Sequence, residues 1–358
     1  MIHHAPRARL ALLARKPMPA MKDELAFAPH LHRFCRDALY EVFRLLGREH
    51  SAVWMPSFHC GMEVRAAVDA GLTPRYYRLH DDLSVDEEDL AVRLRETPGV
   101  VLLIHYFGFA QRASINAPVV EDCSHAFLSR VDGVPVGSHG VAAAFSLYKT
   151  CGTAEGGALR ISLSPSLRPP SPRKRGEGQP PTPRPLVAWD AEFAAARKRR
   201  RDQRTSGSLP GQLAQRFETR VVAASRRIFE EPWPYGRGMS RLSLSLIERM
   251  NPRAIVERRR ENYLRLRALV DADAVFDTLP EGCCPLYLPV FVRDRTKVLL
   301  RMQSRGVEPF LFGMFHHPTL PVDEFPEARR MREEMLCLPV HHQLSERDLV
   351  KIAEAMRP

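Results

Sequence analysis

Apolar positions along this chain follow two periods, and the switching between them is the first structural signal. Over residues 32–46, Phe34, Ala38, Leu39, Val42, Phe43 and Leu46 recur at spacings of three and four and stop at Gly47, which predicts an amphipathic helix. Short, mostly apolar stretches predict buried strands at 52–55 (closed by Pro56), 100–106, 119–120 and 142–147, and a further strand is read at 75–79. A helical repeat over 62–70, stopped by Gly71, lies between the first two strands. Strands alternating with helices describe a mostly parallel α/β sheet. The pattern returns near the C-terminus. Helices are predicted at 242–250, 255–270, 296–305, 327–334 and from Ser345, with strands at 286–292, 309–312 and 336–340. The expected organisation is an N-terminal arm, loosely attached, over 1–30, a large α/β domain over 31–240 and a smaller C-terminal α/β domain over 241–358.

One stretch breaks this order. Residues 163–185 hold eight prolines among Ser, Gly and Arg, which predicts a disordered insert. A helical reading resumes at 190–204. The net charge of +11 belongs largely to this neighbourhood, because residues 160–206 hold twelve Lys/Arg against four Asp/Glu. The rest is near balance, so a nucleic-acid partner is not expected. No apolar run approaches the roughly 18 residues of a membrane span. The apolar run at 10–14 is too short for a signal segment, and the expected location is cytoplasmic. Seven scattered cysteines without a CxxC pair support neither a disulfide framework nor a structural zinc site. The pairs His316-His317 and His341-His342 put adjacent side chains on opposite faces, so no metal site is expected.

The chemistry concentrates between Asp122 and Lys149. Lys149, one of only seven lysines, ends the run 142–147 and precedes a polar turn and Gly156-Gly157, which lead into a second apolar run. An amine at the rim of a buried strand is poorly solvated. Desolvation lowers a lysine pKa and frees a nucleophilic amine, so a Schiff base is expected there. Asp122 ends the strand at 119–120, with His125 three residues on. Ligands of open α/β sheets gather at such strand ends, and a carboxylate there could keep a pyridine nitrogen protonated.

The motifs Val120-Glu121-Asp122-Cys123-Ser124-His125-Ala126, Val136-Gly137-Ser138-His139-Gly140, Phe145-Ser146-Leu147-Tyr148-Lys149 and Glu155-Gly156-Gly157-Ala158 resemble the DegT/DnrJ/StrS family of PLP-dependent aminotransferases, which act mainly on nucleotide-linked keto-sugars. The resemblance implies the PLP-dependent transferase fold type I, a large mostly parallel sheet domain plus a smaller C-terminal α/β domain. It implies pyridoxal 5'-phosphate (PLP) as cofactor, a small-molecule amino donor such as glutamate, a keto-sugar or related ketone as acceptor, and a homodimer. By position, Lys149 would carry the Schiff base and shuttle a proton. Asp122 would pair with the pyridine nitrogen, and His125 would contact the ring. Ser146 would bind the phosphate with backbone amides at Arg36 and Asp37, where a helix start favours an anion. His59 would take the place of the family's ring-stacking aromatic, which falls at Cys60. Three departures accompany the likeness. The turn from Ser146 to Lys149 is two residues shorter than the family's. Thr150 stands where the family has Asn. The family's N-x-R-M falls on Gly236-Arg237-Gly238-Met239. A PLP-dependent dehydratase on the same scaffold, or a catalytically idle relative that binds or regulates, are the alternatives.

Overall fold

The computed structural model describes residues 2–162, 233–314 and 316–358, so the insert at 163–185 and the helical reading at 190–204 lie outside the described residues. Nine strands open the chain: β1 (His30–His32), β2 (Ala52–Pro56), β3 (Thr73–Tyr77), β4 (Val100–Ile104), β5 (Val119–Cys123), β6 (Arg130–Val131), β7 (Val134–Pro135), β8 (Ala142–Ser146) and β9 (Gly157–Ile161). Seven of them form one sheet in the order β1-β9-β8-β5-β4-β2-β3, while β6 and β7 pair as a hairpin. The pairings β2–β3, β2–β4, β4–β5 and β5–β8 are parallel, and β9 runs antiparallel to both β8 and β1. The mostly parallel sheet is therefore present. β4, with sequence VVLLI, is buried along its whole length, as an interior parallel strand covered on both faces must be.

The helices are α1 (Pro19–Phe27), α2 (Cys35–Leu46), α3 (Met62–Asp69), α4 (Glu87–Glu96), α5 (Leu147–Cys151), α6 (Arg241–Ile247), α7 (Pro252–Leu269), α8 (Arg295–Ser304), α9 (Pro326–Glu334) and α10 (Glu346–Met356). The apolar stripe of α2 lies on one face of the sheet, in the same core as Ala142, Ala144 and Val120. The alternate residues Ala143, Phe145 and Cys123 point to the other face, into a core shared with Met21, Leu25 and Phe127. Asp122 and Ser146 have the parity of the α2 face. That parity decides what the strand ends present.

Two expectations change. The first 30 residues are not a loose arm. Met21 of α1 is fully buried, Glu24 pairs with Arg130, and the Ile2 amide donates to the Gly306 carbonyl at 2.8 Å. The strand expected at 309–312 reduces to a single bridge, Phe310 to Cys337, because Pro309 offers no ladder donor and Gly313 turns the chain at φ +70°. The other C-terminal strands, β10 (Asp273–Ala274), β11 (Tyr287–Phe291) and β12 (Met335–Pro339), form an antiparallel sheet rather than βαβ units.

Arg259 on α7 ties this C-terminal part to the Lys149 turn. Its side chain is fully buried with no carboxylate partner among the described residues. The guanidinium instead donates to the carbonyls of Pro285 (3.1 Å), Leu286 (3.2 Å) and Thr150 (3.2 Å). Removing it leaves three buried carbonyls without a donor, at about 1–3 kcal/mol each before any relaxation, plus a cavity. Arg259→Ala should lower unfolding free energy in urea by about 3 kcal/mol or more. A loss below about 1 kcal/mol would contradict the clamp.

Candidate functional site

The carboxyl ends of β2, β4, β5 and β8 lie along one edge of the sheet, and each delivers a short segment to it. From β5 comes Asp122, whose Oδ1 accepts from the Ser124 amide at 2.8 Å. From β8 the chain passes through Ser146 into α5, and Lys149 Nζ donates to Ser124 Oγ at 3.3 Å. Ser124 therefore links the lysine to the aspartate. Above them stands the first residue of α2, with Cys35 Sγ 4.0 Å from Asp122 Oδ1. Cys35 reaches that close because β9 begins with a glycine. A Cβ on Gly157 would lie 2.3 Å from the Phe34 carbonyl carbon.

β4 supplies the wall. After Ile104 the chain turns through Phe107, a non-glycine residue at φ 55°, and Gly108 at φ 103°. Phe107 stacks on the His125 ring at 5.3 Å, and Phe312 meets that ring edge-on at 4.9 Å. The Phe107 amide donates to His125 Nδ1 at 3.5 Å, which leaves the proton of a neutral ring on Nε2. Burial, and then the Lys149 charge, push the His125 pKa well below its ordinary value, so the ring is neutral.

Lys149 departs from expectation. Burial lowers its pKa, but Tyr148, Cys60, Asp122 and Cys35 together outweigh burial and raise it above the ordinary lysine value. The free chain holds an ammonium at neutral pH, so covalent attachment of a carbonyl must displace a proton from it.

His59 does not reach this site. Its Nδ1 faces the Pro56 carbonyl at 2.9 Å, Nε2 accepts from the His317 amide at 3.3 Å, and the ring stacks on Tyr76 at 5.4 Å. Both nitrogens and one face thus hold the ring among Pro56, Tyr76 and His317 rather than beside Lys149 and Asp122. The neighbouring Cys60 points inward, and its thiol donates to the buried Glu63 at 2.9 Å. Asp37 also differs from expectation: its amide donates to the Phe34 carbonyl at 3.0 Å and is not free for an anion. Its carboxylate caps α2, accepting from the Phe34 amide at 3.0 Å and the Trp233 indole at 2.7 Å. Arg36 lies beside it, its guanidinium 3.9 Å from the Trp233 ring. Sequence reasoning missed Ser124, Cys35, Glu63, Phe312 and Trp233; Ser124 alone had a signal, lying inside the Asp122–His125 motif.

Behind the site, Glu121 points to the opposite sheet face. It accepts from the amides of Gly137 (3.2 Å), His139 (2.8 Å) and Gly140 (2.5 Å) and pairs with His105 at 2.8 Å. Cys123 completes a group whose ligand atoms lie within 4.8 Å of one another. Every carboxylate oxygen there is engaged by a donor, so the group works as a scaffold for the 137–140 turn.

Comparisons with known proteins give a family likeness for one segment and a fold for the chain. Residues 35–163 match the DegT/DnrJ/EryC1/StrS aminotransferase family. That segment carries α2, strands β2 to β9, and every side chain placed around Lys149 except those of Trp233 and Phe312. Solved structures extend the likeness over the whole chain. A putative sugar aminotransferase, Spr1654 from Streptococcus pneumoniae, superposes with TM-score 0.67 at 15% identity, covering 99% of this chain and 98% of that one. The aminotransferase TlmJ from Streptoalloteichus hindustanus gives 0.63 at 20% identity, covering 99% and 96%. A DegT DnrJ EryC1 StrS aminotransferase from Brucella abortus gives 0.62 at 16%, covering 97% and 94%. The fold is that of the DegT-type aminotransferases, fold type I. No curated protein matches by sequence.

Glu121 generates a pH prediction. Burial alone would raise its pKa, but the hydrogen bond and charge of His105 and the Gly140 and His139 amides outweigh burial and hold it below the ordinary glutamate value. A depressed carboxylate contributes stability above its unfolded pKa and loses it as pH falls through the folded one. Glu121→Gln should cost about 1–3 kcal/mol at pH 7, because its amide nitrogen would face a donor. The gap from wild type in urea unfolding should narrow on acidification below the ordinary glutamate value. A gap independent of pH would contradict the assignment.

Proposed function

We propose that this chain is a PLP-dependent aminotransferase, with an amino acid such as glutamate as donor and a keto-sugar or related ketone as acceptor. The observation that carries this reading is the linkage Lys149–Ser124–Asp122: an amine and a carboxylate at the ends of adjacent parallel strands, both beside the start of α2. The residues present fit the cofactor on independent grounds. Ser146 Oγ is fully buried and has no hydrogen-bond partner among the described residues, a polar atom that a phosphate would satisfy. Gly157, with no side chain, lets the start of α2 lie beside that hydroxyl, since a Cβ would come within 2.7 Å of the Cys35 amide nitrogen.

Bound there, PLP supplies the electron sink that lets an amino group pass between an amino acid and a ketone. The protein's own part divides by residue. Lys149 would hold the cofactor, and its amine is the group placed to take a proton from the substrate carbon and return it. Asp122 keeps a proton on the pyridine nitrogen by its negative charge. Ser124 holds the lysine and the aspartate in register. His125, neutral and stacked on Phe107, offers an apolar face and a fixed Nε2–H.

The family likeness also supports a cytoplasmic homodimer, and no helix among the described residues is long and apolar enough to cross a membrane. The scaffold alone is compatible with dehydration chemistry, and the test separates the two. Protein loaded with PLP and given glutamate should convert the cofactor to pyridoxamine phosphate with an equal amount of 2-oxoglutarate. Borohydride should fix PLP to the Lys149 peptide of the wild type and leave Lys149→Ala unlabelled. A wild type that is not labelled at Lys149, or makes no pyridoxamine phosphate from any amino acid, contradicts the reading.

A further inference from the structure

Arg36 is the second residue of α2 and sits where that helix meets the site. Its guanidinium carbon is 3.9 Å from the Trp233 ring centre and 5.8 Å from that of Phe34. It makes no hydrogen bond and no ion pair among the described residues. No ion pair joins it to the adjacent Asp37, whose two oxygens accept from the Phe34 amide and the Trp233 indole. Trp233 is thereby fixed from below, and Arg36 is held by stacking rather than by a charge. Stacking occupies a guanidinium's face and leaves its rim of N–H donors for something else.

Three observations say what that is. Ser146 Oγ, with no exposed surface and no partner, lies on the sheet face that α2 covers, as the parity of Ala142 and Ala144 requires. Ser146 pairs with Gly157, and Gly157 is the residue whose bare Cα lies against Phe34 and Cys35 at the head of α2. The hydroxyl and the helix start therefore flank one glycine. Phe34 meets the Tyr148 ring edge-on at 5.7 Å, which brings the Arg36 support to the residue preceding Lys149. A serine hydroxyl and a helix start flanking one glycine, with a guanidinium on the second residue of that helix, suit a tetrahedral dianion with several acceptor oxygens. Electrostatics also require the cation. The Asp37 carboxylate caps the same helix start, and a phosphate there would otherwise face a like charge.

We propose that the Arg36 side chain, laid on Trp233, is the receptor for the cofactor's phosphate and makes this chain select phosphorylated pyridoxal within a single subunit. The inference rests on the PLP reading above and deepens it. Burial lowers the Arg36 pKa from its ordinary value, and Tyr148 and Cys60, two residues that also act on Lys149, work against burial.

The test compares PLP, pyridoxal and inorganic phosphate on wild type, Arg36→Met and Arg36→Lys. Methionine keeps an apolar stem over Trp233 and removes the donors. Arg36→Met should bind PLP at least about tenfold more weakly in equilibrium dialysis, the loss of one charge-assisted contact. It should bind pyridoxal as wild type does, and Arg36→Lys should fall between. Inorganic phosphate should raise the wild-type melting temperature and leave that of Arg36→Met unchanged. Wild-type PLP affinity in Arg36→Met would overturn the assignment, and so would an equal loss of PLP and pyridoxal. A wild type that binds neither aldehyde would remove the PLP reading itself, together with the inference built on it.

Discussion

The absence of a side chain at Gly157 sets the geometry from which the rest follows. With any larger residue there, the head of α2 would be driven off the sheet, since a Cβ would come within 2.7 Å of the Cys35 amide. The close approach is fixed by hydrogen bonds on either side. The Gly156 amide donates to the Arg33 carbonyl at 2.8 Å, and the Leu147 amide donates to the Gly156 carbonyl at 2.9 Å. One glycine pair thus joins the approach to α2, the strand β9 and the turn that presents Lys149. Cys35 then lies over Asp122, and the helix start, the carboxylate and the lysine share one edge of the sheet.

Charge decides how that edge behaves. Asp122 and Glu63 are buried and Lys149 is half-buried, and burial of an unpaired charge is costly. The carboxyl of Glu63 answers by rising above its ordinary value, chiefly through burial and then through repulsion by Asp122. Lys149 is raised instead, because the groups around it outweigh its burial. The site is therefore organised around a held ammonium beside two buried carboxyls. The opposite face of the same strand repeats the logic with Glu121 and His105, whose pairing fixes the 137–140 turn and through it the end of β8.

Much of this was legible from residue order alone. β4 and β8 are runs of apolar residues at strand length, α2 shows its stripe at three and four, and Asp122, His125 and Lys149 stand in recognisable motifs. What escaped did so for physical reasons. α4 is amphipathic only weakly, and its signature is a cap: Asp86 accepts from the Asp89 amide at 3.0 Å, followed by an acidic first turn. The docking of residues 1–30 rests on a few contacts such as Met21, too sparse to make a period. The direction of the Lys149 shift could not be read from burial alone, since Cys35 and Cys60 arrive from elements more than 80 residues away in sequence. His59 read as a site residue because it adjoins Cys60, yet its ring turns to Pro56 and His317.

The central claim is that Asp122 and Lys149 act on one ring. The most direct measurement is the ¹⁵N chemical shift of the pyridine nitrogen in labelled PLP bound to the protein. A protonated pyridine nitrogen in the wild type, changing to the neutral form in Asp122→Asn while PLP stays attached to Lys149, is the result this account predicts. The same shift in both proteins would contradict it, because the carboxylate and the amine would then not meet across the cofactor.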